Sequence, residues 1–83
     1  MAKGNRKVIA NQLSTAVSIE EVVVETVAEM CKQPVSITAQ AFQSSETSKN
    51  LFNFESGYYL SDIHIIVADF ARECVGKLGW KIY

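Results

Sequence analysis

Proline and glycine are scarce in this chain, with one and four among 83 residues. Because 48% of the residues are hydrophobic and only 20% charged, a disordered, collagenous or linker-rich chain is excluded, since such chains lack the apolar surface that offsets ordering entropy. Charge of either sign is not in excess: the formal net charge is -1, so no global field draws in a phosphate backbone, which makes a nucleic-acid partner a weak expectation without removing it. No apolar run approaches the roughly 20 residues of a membrane-spanning helix, and the start MAKGNRK has no apolar stretch behind its basic residues. A soluble, cytoplasmic protein with no membrane partner is therefore expected. Two cysteines, Cys31 and Cys74, show no C-x-x-C or His spacing, so neither a zinc site nor a redox motif is written, and buried free thiols are expected. The length suits one core, hence a single domain over 1–83.

What is present is periodicity. In Ser61 to Leu78, the residues Ile63, Ile66, Val67, Phe70, Ala71, Cys74, Val75 and Leu78 recur at helical spacing, with Ser61 to cap the start and Gly79 to stop it. A second helix is predicted from Ser18 to about Lys32, because Ser18 and Glu21 form a capping-box pattern and Pro34 blocks continuation. Its core face is Ile19, Val22, Val23, Val27, Met30 and Cys31, with Val24 and Ala28 straying to the polar side. Between the helices VSITAQAF alternates apolar and polar residues, which predicts a half-buried strand from Val35 to Phe42. The polar run QSSETSKN reads as a mobile connection to a second strand at LFNFE, and WKIY after Gly79 reads as a short edge strand.

Residues 6–17 fit a strand or a helix. Taken as a strand they give an α+β domain of order β-α-β-β-α-β, a ferredoxin-like antiparallel sheet with two helices on one face. Taken as a helix they give α-α-β-β-α. The first is preferred, since two helices on a small sheet make a two-layer core. In that topology the helices are antiparallel and the two cysteines lie at opposite ends, too far apart for a disulfide.

No phosphate loop, metal-protease, nucleophile-elbow or calcium-loop pattern occurs, and the lone His64 has no nucleophile at a recognisable spacing. The expectation is no enzyme, no catalytic residue, no metal and no cofactor. Glu21, Glu25 and Glu29 stand at i, i+4 and i+8 and form an acidic stripe, although like charges at this spacing cost a few tenths of a kcal/mol per pair. The stripe reads as a solvated face, as a docking face for a basic protein partner, or as a target for Lys3, Arg6 and Lys7 folding back. Ile65 falls among Asp69, Arg72 and Glu73 and is a candidate partner contact or homodimer seam.

The stretch KNLFNFESGYY concentrates Phe52, Phe54, Tyr58 and Tyr59. With KVIANQLSTAVSIEEV, through Val8, Asn11, Leu13 and Glu20, it resembles the RNA recognition motif over roughly 7–54, which implies an outward platform of stacking rings for single-stranded RNA. The alternate positions Asn53 and Glu55 are polar, however, and would cost several kcal/mol in a core if unpaired. Phe52 and Phe54 are therefore expected inside, leaving Tyr58 and Tyr59 past Gly57 as the candidate contact corner. These observations predict a non-catalytic protein-binding module acting as adaptor, regulator or inhibitor, of the kind phages and mobile elements use, with Glu21, Glu25, Glu29, Tyr58, Tyr59 and Ile65 as its contacts. Single-stranded nucleic-acid binding is the alternative.

Overall fold

The computed structural model describes the backbone of residues 2–83 and the side chains of residues 11–83. Four α-helices and two single 3₁₀ turns follow one another: α1 (Ala2–Cys31), α2 (Val35–Gln43), α3 (Glu46–Leu51), the turns Phe54–Ser56 and Tyr58–Leu60, and α4 (Ile63–Leu78). There is no strand among the described residues. The expected ferredoxin-like α+β sheet is thus replaced by a small helical bundle, and the α-α-β-β-α alternative fails with it.

Each miss has a local cause. The helix reading of residues 6–17 holds and the preferred strand reading fails, the segment joining the helix from Ser18 in one 30-residue α1, so Ser18 lies inside a helix rather than at a cap. Ala, Leu and Gln among residues 10–16 are good helix formers, and no Pro or Gly interrupts the run between Gly4 and Cys31. The alternation of VSITAQAF is overruled because Val35 and Ala39, and Thr38 and Phe42, are also i, i+4 pairs. Thr38 and Phe42 are fully buried, and the Thr38 amide and hydroxyl both donate to the Pro34 carbonyl, at 3.0 and 2.9 Å. The supposed mobile linker contains a capped helix. Ser45 Oγ accepts from the Ser48 amide at 3.0 Å, and Glu46 in the first turn and Lys49 in the last complement the helix dipole of α3. Gly57, at φ 74°, takes the left-handed conformation that joins the two 3₁₀ turns where LFNFE was expected to extend.

The helix stops follow from cap chemistry. At the end of α1 the amides of Lys32 and Gln33 donate to the Glu29 and Ala28 carbonyls, the paired bonds of a Schellman motif, with Lys32 itself at φ 52°. In α4 the cap is Asp62, not Ser61, accepting from the His64 amide at 2.8 Å, while Gly79 ends it at φ 70°. WKIY forms no strand. It crosses the helix ends, the Tyr83 amide donating to the Met30 carbonyl at 2.9 Å and the Trp80 amide to the Cys74 carbonyl at 3.2 Å.

One core results, built from Ala16, Val23, Val24, Val27 and Cys31 of α1, Phe42 of α2, Leu51 of α3, and Ile66, Phe70, Ala71 and Cys74 of α4. Phe42 and Phe70 meet edge to face with centroids 4.9 Å apart, a geometry worth about 0.5–1.5 kcal/mol beyond area burial. Phe52 and Phe54 pack against this core half-buried, as the polar Asn53 and Glu55 demanded. The start of α4 lies beside residues 14–22 of α1, and Cys74, late in α4, lies close enough to the last residue of α1, Cys31, to feel its charge. The two helices therefore run in the same direction, and the cysteines share one buried region instead of opposite ends. Both are free thiols, and Cys74 is pushed up to about 11 by burial, then by Cys31 and Glu73. The molecule measures 48 × 20 × 20 Å, and its long dimension is α1, since 30 residues at about 1.5 Å each span about 45 Å.

Candidate functional site

α2 packs back along the second half of α1 and decides which α1 residues are covered. Val24 and Ala28, expected on the polar side, are buried, whereas Val22, expected in the core, is 50% exposed. The apolar arc of α1 is turned toward α2 by this packing. Beyond it lies the acidic stripe: Glu21, Glu25 and Glu29 are all exposed and rise along about 12 Å of helix.

Between the helices Glu20, Glu21, Val24, Glu25, Val35 and Ala39 line a groove of about 190 Å³. Its floor is apolar and its rim on the α1 side is three carboxylates. Val35 at the mouth is 53% exposed. Glu20 is half-buried, and its carboxyl is held above the ordinary glutamate range, first by burial and then by the Glu21 charge.

Among the described residues these charges have no ion-pair partner. The ion pairs among the described residues are Lys49 with Glu46, Arg72 with Asp69 and Lys77 with Glu73. Lys32, the cation nearest the stripe in sequence, has its Nζ 4.9 Å from the centre of the Tyr83 ring. Lys3, Arg6 and Lys7 have side chains outside the described residues, but the fold-back that was one of three readings of the stripe fails on the backbone. α1 is continuous from Ala2 to Cys31, so residues 7 and 21 stand about 21 Å apart along the axis, far beyond the reach of a lysine. Glu29, in the last turn of α1, also opposes the helix dipole, which favours acids at the N-terminus and bases at the C-terminus: the first turn of α1 has no acid and its last turn no base.

The hydroxyls of the tyrosine corner are both bonded within the fold. The Tyr58 hydroxyl donates to Asp69 Oδ2 at 2.5 Å, and burial, then this bond and the Asp69 charge, push its pKa far up. The Tyr59 hydroxyl accepts from Gln12 Nε2 at 3.0 Å, and its ring meets Phe54 edge to face at 5.5 Å. Both rings are half-buried against the core. Without a sheet there is no platform of the kind the RNA recognition motif uses. Ile65 is 52% exposed, as expected, while Val24 and Ala28, the other apolar residues placed on a polar side, are buried.

Sequence reading missed the hub at Glu73. Its Oε1 accepts from the Glu46 amide at 2.9 Å and Lys77 Nζ at 3.2 Å, and its Oε2 from the Thr47 amide at 2.8 Å and the Thr47 hydroxyl. Burial pushes this carboxyl up, but the four donors outweigh it and hold it below the ordinary range. The groove beside it, lined by Asp69, Arg72, Gly76 and Lys77, is thus built from charges already paired. No sequence signal links α4 to the start of α3, because the contact spans 26 residues or more.

No protein-family model, no curated protein and no solved structure matches this chain. No helix among the described residues is long and apolar enough to cross a membrane.

Proposed function

We propose that the protein is a small non-catalytic binding module that regulates, adapts or inhibits a protein partner in the cytoplasm, and that it presents the acidic groove of α1 and α2 to a basic helix. The observation that carries this reading is uncompensated charge. Glu20, Glu21, Glu25 and Glu29 crowd one helix that gains nothing from them, since the pairs at i, i+4 repel and Glu29 lies at the wrong end of the dipole. An apolar floor inside an acidic rim suits an amphipathic basic helix, which offers side chains to both. The perturbed groups elsewhere support a non-catalytic role, because Glu73, Tyr58 and Cys74 owe their shifts to capping, a structural hydrogen bond and burial. Two unpaired thiols fit a reducing compartment.

Fluorescence anisotropy with a labelled lysine-rich amphipathic peptide tests the proposal. Saturable, salt-sensitive binding that disappears in the Glu21→Lys, Glu25→Lys, Glu29→Lys variant is expected. A native protein that ignores the peptide, or a triple variant that binds it equally, removes the reading.

A further inference from the structure

We propose that the basic helix received by this groove is α1 of a second copy, the two α1 helices lying antiparallel about an axis near residue 15. The inference rests on the binding reading above and names its partner. α1 has a basic first two turns at positions 3, 6 and 7, an uncharged middle, and acids at 20, 21, 25 and 29. In one chain the two charged ends cannot meet, because the helix holds them apart. In an antiparallel pair they meet twice.

The register follows from the exposed apolar residues. Leu13 and Val17, one turn apart, are 47% and 39% exposed although they continue the stripe that buries Ala16, so they are apolar surface with no cover in the monomer. Placing Leu13 of one copy against Val17 of the other centres the pair near residue 15. Position 7 then stands level with 23 of the partner, midway between the acids at 21 and 25, and position 3 with 27, midway between those at 25 and 29, about 3 Å from each along the axis. The basic turns of each helix thus arrive at the carboxylate rim of the other, beside Val35 and Ala39. Antiparallel packing also sets each helix N-terminus beside the acidic half of its mate, which reverses the unfavourable dipole arrangement of the lone helix.

Sedimentation equilibrium of the full chain tests this. A dimer is expected at low salt that weakens as salt rises. Two variants, Lys3→Glu with Lys7→Glu and Glu21→Lys with Glu25→Lys, place like charges at both ends of the seam, so each alone should dimerise at least about tenfold more weakly. Mixed one to one they should form a heterodimer of native strength or better, with circular dichroism confirming that both are folded. A native protein that stays monomeric at roughly 100 μM, or a dimer indifferent to both reversals, overturns the proposal. A monomer that still binds the lysine-rich peptide removes the self-association alone; a monomer that binds nothing removes the groove reading as well.

Discussion

Replacing Glu73 with Ala probes how a four-helix chain this short stays folded. The carboxylate joins α4 to the N-terminus of α3, where the first amides have no partner inside the helix. It satisfies the Glu46 and Thr47 amides and the Thr47 hydroxyl together. Thr47 is 2% exposed behind the carboxylate, so its two donors recover hydrogen bonds to water less readily than the exposed Glu46 amide does. Two stranded donors at about 1–3 kcal/mol each set the loss at about 3 kcal/mol. For a chain of 83 residues the whole stability is about 4–12 kcal/mol, and a loss of this size lowers the melting temperature by roughly 12–24 °C. Glu73→Gln keeps one acceptor oxygen and should cost about 1 kcal/mol.

Urea denaturation followed by circular dichroism at several pH values reads these differences. The folded carboxyl titrates below its unfolded value, so its stabilisation is fully present above the ordinary glutamate pKa of about 4.3 and is lost as pH falls through the lower folded value. The gap between native protein and Glu73→Gln must therefore be full at neutral pH and narrow on acidification. An Ala variant within about 0.5 kcal/mol of native, or a gap that widens toward acid, refutes the reasoning.

Glu25→Lys converts two repulsive i, i+4 pairs into two attractive ones, so the isolated monomer should gain about 1–2 kcal/mol in urea titrations while peptide binding falls; a loss of stability would show that Glu25 is structurally engaged. At position 32 the left-handed backbone penalises a β-branched side chain, and Lys32→Val should be about 1–2 kcal/mol less stable than Lys32→Gly, with equal melting temperatures counting against the observed turn. Buried thiols of raised pKa are slow nucleophiles, so Cys31 and Cys74 should react with a disulfide reagent only at denaturant concentrations that unfold the chain. Rapid labelling of the native protein would contradict their burial.

The parts of the fold legible in the sequence were those fixed within one or two turns. The periodicity of α4 and the stops at Gly79 and before Pro34 depend on local caps and spacing, and they were read correctly. Residues 35–42 were not, because a period of two in VSITAQAF coexists with i, i+4 pairs, and the choice between them is made by what is available to pack against. A strand there would have found no second strand. The polar run 43–50 hid α3 for a related reason: its helix is stabilised at one end by Ser45, which is local, and by Glu73, which is not. Glu21, Glu25 and Glu29 could be placed on one exposed face from spacing alone, but Val35 and Ala39 beside them could not, since the second wall of the groove belongs to the segment misread as a strand.

That misreading also concealed the strongest constraint on function. With α1 divided at Ser18, the basic residues at positions 3, 6 and 7 sat on a separate element that was free to turn back and neutralise the acids. A continuous helix forbids this, because its rise per residue is fixed and its ends stay about 45 Å apart. Charge that a flexible segment would have cancelled within one molecule is thereby left on the surface, which is the premise of the contact between molecules proposed above. Relieving the acids by substitution should strengthen the monomer and weaken its association, the opposed pair of effects that distinguishes a binding surface from a solvated helix face.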